Sequence, residues 1–251
     1  VGRASQALLV EGEGQCGHPS ATPASWSGLT NPASVQPTGA GPLGDAVVAD
    51  MGIPTSGQAG SLHSLCWRHE HSALPREYRT AVDDRFELSG PLLGLAADCA
   101  LGRNCQVQVT GSGLAETNSV VLVDAGAACG QSGTPASAAF AGSNPAASPA
   151  PPHEAYGLGL DLAAAPGAYR LCWAHDPADS SVQSFRVTLG QLTLAGPFQA
   201  NYVCHLGAEC FVVLSGVALS ADDRLLLVSD ASCGSASPSL ASFPGLPSAS
   251  P

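Results

Sequence analysis

Short runs in which apolar and polar residues alternate dominate the pattern of this chain. Cys105-Gln106-Val107-Gln108-Val109-Thr110, Tyr156-Gly157-Leu158-Gly159-Leu160-Asp161-Leu162 and Phe185-Arg186-Val187-Thr188-Leu189 each keep a strict period of two. That is the period of a strand with one buried face. Phe211 to Leu214 and Leu225 to Val228 are unbroken apolar runs, which predict strands buried on both faces. Turn residues at Pro166-Gly167, Gly190, Gly196-Pro197, Gly216 and Asp222-Asp223 separate the runs. No segment sustains a helical period, and single glycines interrupt nearly every candidate. The expected fold class is all-β, built from sandwich modules.

The pattern repeats. Leu65-Cys66-Trp67, Cys99-x5-Cys105 and Cys129-Gly130 recur as Leu171-Cys172-Trp173, Cys204-x5-Cys210 and Cys233-Gly234, at offsets of 106, 105 and 104 residues. A repeat of that length is a domain, not a solenoid turn. Ala7 to Glu11 leading to Cys16-Gly17 resembles Val120 to Asp124 before Cys129-Gly130 and Leu225 to Ser229 before Cys233-Gly234. Residues 1–17 therefore read as the last strand of a preceding module. The chain reads as a window on a longer tandem array, with the partner of Cys16 expected upstream.

Composition punctuates the modules. Residues 18–44, 131–153 and 235–251 are rich in Pro, Ser, Ala and Gly and poor in charge, so alone they bury too little apolar area to offset ordering entropy. They read as linkers around β-sandwich modules at 45–130 and 154–234. The linkers resemble one another: Thr22-Pro23-Ala24-Ser25-Trp26 with Asn31-Pro32 matches Thr134-Pro135-Ala136-Ser137 with Phe140 and Asn144-Pro145. Phe243 stands at the corresponding place in the last. A flexible tether has no need of a recurrent aromatic, so Trp26, Phe140 and Phe243 are expected to dock. In the second module Asp161 and Tyr169 before Cys172 look like a tyrosine corner, where the first module has His63.

Each module of under about 90 residues has a thin core for which covalent staples help, and two sets of four cysteines suit an oxidising compartment. Four cysteines allow three connectivities. Local staples Cys99–Cys105 and Cys204–Cys210 are favoured, leaving Cys66 with Cys129 and Cys172 with Cys233. Zinc would need C-x2-C knuckles or supporting histidines, and only His205 beside Cys204 points that way.

A net charge of −11, with nine arginines and no lysine, argues against nucleic acid, which requires cations along the phosphates. No apolar run reaches the roughly 20 residues of a membrane span. The motifs G-x-S-x-G, H-E-x-x-H, G-x-x-x-x-G-K-[ST] and a strand-led G-x-G-x-x-G are absent, so no catalytic residue, cofactor or metal is expected. His69-Glu70-His71 reads as part of a solvated insertion from Arg68 to Arg85. Asp83-Asp84 and Asp222-Asp223 lack calcium-loop spacing and read as turn residues.

Leu-Cys-Trp, a Phe-led strand ending in Gly, Cys-x5-Cys, a Leu/Val strand, Cys-Gly and a Pro/Ser linker, in a lysine-free chain, form a set. It resembles the tandem immunoglobulin-like repeats of large algal extracellular hydroxyproline-rich glycoproteins, in particular those of the green-algal flagellar mastigoneme, its axial component included. The resemblance implies a structural, non-catalytic segment of a filament on the ciliary surface, with neighbouring copies or other subunits as partners. It implies O-linked glycans on hydroxyproline, with Pro23, Pro135, Pro149, Pro151, Pro152 and Pro238 as candidates. It also gives Trp26, Phe140 and Phe243 a role in setting the rise between modules. The alternative is a cell-surface adhesion or glycan-binding ectodomain with its ligand on module loops.

Overall fold

A computed structural model describes residues 5–41, 44–70, 72–148, 150–229, 233, 239–241 and 249–250. Strand accounts for 40% and helix for 3%, as the period-two runs predict. The helical part is two three-residue 3-10 turns, Pro75–Glu77 and Val182–Ser184.

The first sheet uses β1 (Gln6–Glu11), β2 (Ala33–Gly41), β3 (Gly44–Ala49), β4 (Leu62–Arg68) and β5 (Thr80–Glu87), in the order β3-β2-β1-β4-β5. Its centre is the antiparallel pair β1 and β4, where Ala7 faces Trp67, Leu8 faces Cys66 and Leu9 faces Leu65. After it come β6 (Gly90–Pro91), β7 (Leu95–Ala100), β8 (Asn104–Gln108), β9 (Gly111–Ser112), β10 (Ser119–Asp124), β11 (Ala146–Ala147), β12 (Ala155–Leu160), β13 (Gly167–Ala174), β14 (Val187–Pro197) and β15 (Gly216–Val217). The second sheet runs β11-β10-β13-β14-β15, with β7 added parallel to β14. Here β10 and β13 pair with Val120 facing Trp173, Val121 facing Cys172 and Leu122 facing Leu171. The register of the first sheet thus recurs. Two short strands, β16 (Leu225–Leu226) and β17 (Ala249–Ser250), pair near the end of the chain.

The second sheet is apolar on both faces, which is why Val120 to Val123 are all buried in a row. One face meets the antiparallel ribbon of β8 and β12, and Val107, Tyr156 and Leu158 pack there against Leu122, Leu171 and Leu189. The other face carries Val121, Cys172 and Phe185 under the loop that holds Cys129. Leu8, Val10, Cys66 and Tyr78 repeat that second arrangement in the first sheet.

The strand expected to close a preceding module is β1, and it pairs with the Leu65-Cys66-Trp67 strand of the first expected module. Strand pairing likewise joins residues 119–124 to 167–174 across the expected linker at 131–153. The long disulfides follow this pairing and correct the expected ones. Cys16 bonds Cys66 and Cys129 bonds Cys172, each at a Cα separation of 5.5 Å, in place of Cys66–Cys129 and Cys172–Cys233. Cys16 therefore has its partner downstream, and Cys233 is free and exposed. The cause is geometric. Ser64 Oγ accepts from Gln15 N–H and donates to the Gly12 carbonyl, folding the chain after β1 back over β4. The local staples Cys99–Cys105 and Cys204–Cys210 form as expected. Tyr169 donates its hydroxyl to the Ala165 carbonyl four residues upstream, in the manner of a tyrosine corner.

Candidate functional site

The proline-rich segments owe their order to one asparagine each. Asn31 accepts from the Leu9 N–H at 2.8 Å and donates to the carbonyls of Leu9 (2.7 Å) and Ala24 (2.9 Å). Asn144 does the same to Leu122 N–H (2.9 Å), the Leu122 carbonyl and the Ser137 carbonyl (both 3.1 Å). Each amide side chain imitates a strand residue against a central leucine, satisfying buried backbone groups that would otherwise be costly. The peptide bonds Asn31–Pro32 and Asn144–Pro145 are both cis. The recurrence of Asn-Pro at one position of each segment was the signal in the sequence; its role needed the neighbouring strand.

Phe140 is buried in the same core as Val107, Tyr156 and Leu171, and its N–H donates to Asp161 at 2.5 Å. Trp26 is half-buried, with its ring edge-on to His63 at 4.7 Å. A methyl at Gly57 would lie 3.4 Å from the Trp26 indole, so the chain around Gly57 passes close to that ring. Both aromatics dock as expected, each against strands joined to its own segment. Phe243 lies outside the described residues. Pro135, Pro151 and Pro152 are exposed and Pro23 is half-buried, while Pro149 and Pro238 lie outside the described residues.

The candidate chemistry stays dispersed. Among the described residues no group of three His, Cys, Asp or Glu side chains could hold a metal ion. His69 meets the Ser5 hydroxyl at 3.3 Å, and His71 lies outside the described residues. Asp83 accepts from Arg85 N–H and Asp223 from Ser220 N–H, the local bonding of turn residues. Asp161 is held below its usual carboxylate range. Desolvation opposes the charged form there, and the backbone N–H groups of Phe140, Ala163, Ala164 and Leu162 outweigh it. Hydrogen bonds from Ser72 and Arg68 hold exposed Glu77 below its ordinary value.

What remains is apolar surface that the fold leaves open. On β5, Val82 is 61% exposed, whereas Leu189 at the matching place on β14 is fully buried under the ribbon. Leu65 and Trp67 are half-buried where Leu171 and Trp173 are buried. Beyond β14, Phe211 and Val213 are each 80% exposed. Comparison with protein families, curated proteins and solved structures finds no match. The functional reading therefore rests on the chain's own geometry.

Two clefts flank these surfaces. One, of about 670 Å³, lies between Leu101, Pro197, Leu214, Leu219 and Arg224. The other, of about 490 Å³, is lined by Ile53, Trp173, His175, Asp176 and Arg186. A sugar platform needs an open aromatic face, and Trp173 is 6% exposed, so the second cleft does not provide one. The four disulfides fit an extracellular, oxidising setting. No helix among the described residues is long and apolar enough to cross a membrane.

Proposed function

We propose that this chain is a non-catalytic, structural repeat segment of a secreted filament glycoprotein on the ciliary (flagellar) surface. Its modules are disulfide-locked immunoglobulin-like β-sandwiches in tandem. The observation that carries the reading is the recurrence, in two sheets, of one register, one disulfide and one asparagine clamp. A unit reproduced in such detail serves by stacking at a fixed spacing, each unit touching its neighbours.

The exposed Pro135, Pro151 and Pro152 lie on surface turns where a prolyl hydroxylase and glycosyltransferases would have access. Sugar there would solvate the segment without disturbing the core. The algal and ciliary setting comes from the sequence resemblance.

Peptide mass spectrometry of native material, before and after reduction, is the test. Hydroxyproline carrying pentose or hexose on the peptide spanning residues 131–153 is the expected result. Unmodified prolines throughout that peptide would remove the glycoprotein reading and leave an adhesion ectodomain as the better account.

A further inference from the structure

Residues 198–214 repeat residues 92–109 and are anchored in the same way, yet nothing among the described residues covers them. Gly90-Pro91 pairs with Gly111-Ser112, and Gly196-Pro197 pairs with Gly216-Val217. At both crossings the chains touch backbone to backbone: a Cβ at Gly111 would lie 2.2 Å from the Gly90 carbonyl oxygen, and one at Gly216 lies 2.3 Å from that of Gly196. Leu92 and Phe198 make the next bond of each ladder, to Thr110 and Ser215. From the first anchor, β7 and β8 run out and seal the second sheet, with Val107 and Val109 at 0% and 1% exposure. From the second anchor, the counterparts Val212 and Leu214 are 37% and 36% exposed.

The complementary vacancy is on the first sheet. The ribbon of β8 and β12 covers Leu189 and Leu158 in the second sheet. In the first sheet Val82 and Val47, at the matching places, are 61% and 37% exposed. The strand β3 sits at the sheet edge with one side unpaired, where β12 pairs with β8. An open edge beside an apolar face is a template for an added strand.

We propose that residues 203–214 of one copy of this chain add to the β3 edge of a second copy and cover its face around Leu65, Trp67 and Val82, joining copies head to tail. The occupant is identified by the chain's own precedent, since residues 93–109 already perform this docking on the second sheet. One departure defines the contact further. Gly190 touches the Leu95 backbone, where a Cβ would lie 1.9 Å from the Leu95 oxygen. The first sheet has the Asp83-Asp84 bulge there, so the parallel pairing of β7 on β14 is not repeated on β5. The junction rests on the β3 edge and the apolar face. Donor and acceptor are different surfaces, so the contact is heterologous and propagates instead of closing as a symmetric dimer. The inference deepens the filament reading, on which it rests.

Sedimentation velocity on the full chain over a range of concentrations tests it. Wild type is expected to give a growing series of oligomers. Val212→Asp spoils the donor and Val82→Asp the acceptor; both positions are exposed within one copy, so circular dichroism and disulfide mapping should match wild type. Each variant alone should associate at least about tenfold more weakly, because its charge would be buried at every junction. An equimolar mixture should recover one good junction and stop at the heterodimer. A wild type that stays monomeric, or variants that assemble like wild type, would overturn the proposal. Monomeric wild-type protein together with glycosylated native prolines would sink this junction and spare the filament reading; assembly with bare prolines would do the reverse.

Discussion

Replacing Asn144 with alanine tests the claim that a single amide orders the proline-rich segment of the second sheet. The side chain meets Leu122 N–H, the Leu122 carbonyl and the Ser137 carbonyl, and Leu122 and Ser137 are buried. Alanine removes all three bonds and leaves backbone groups of β10 without partners. Unsatisfied buried groups cost about 1–3 kcal/mol each, and some will recover water, so a net loss of about 3 kcal/mol is expected. For a unit of roughly 100 residues that corresponds to at least about 10 °C in Tm. Guanidinium unfolding with the disulfides intact, followed by Trp fluorescence, gives the free energy and its slope. Asn144→Asp should be about as damaging, because a carboxylate can accept from Leu122 N–H but cannot donate to the two carbonyls. Asn31→Ala should show the same loss in the first sheet. A loss below about 0.5 kcal/mol for Asn144→Ala, with unchanged slope, would refute the clamp.

Peptide mapping without reduction should find Cys16 joined to Cys66 and Cys129 to Cys172, with a reactive thiol at Cys233; a Cys66–Cys129 peptide would contradict the fold. Cys16→Ser should lower stability by about 4 kcal/mol, the chain-entropy value for a loop of this length, measured by denaturant unfolding. Gly111→Ala should cost about 1–3 kcal/mol in thermal melts, because its methyl would enter the Gly90 backbone. Asp161 has a lowered folded pKa, so its stabilisation is present above its unfolded pKa of roughly 4 and is lost as pH falls through the folded value. Asp161→Asn should therefore flatten the acid limb of the stability–pH curve, read from melts between about pH 2 and 6.

Strand content, turn positions and the two C-x5-C staples were legible because their determinants are local. Val107 and Val109 alternate with glutamines, and six residues between Cys99 and Cys105 can close across one turn. The segments around Asn31 and Asn144 read as linkers because their composition supplies no core of its own. They are ordered by borrowing backbone partners from Leu9 and Leu122, residues 22 positions away whose proximity no local pattern encodes. The recurrent aromatics were a true signal of docking. The open donor and acceptor surfaces were invisible until Val212 and Val82 could be compared with their buried counterparts Val107 and Leu189.

By itself the sequence determined the all-β class, the period of about 105 residues and the set of bonded cysteines apart from Cys16 and Cys233. Those follow from side-chain period, spacing and composition, which are properties of neighbours along the chain. Only the tertiary structure decided where one unit ends and the next begins. Repetition sets a period without a phase: Leu65-Cys66-Trp67 can pair with the Leu/Val strand before it or the one after it at equal sequence consistency. Backbone hydrogen bonding between β1 and β4, and between β10 and β13, selects the earlier strand, and the disulfides follow that choice.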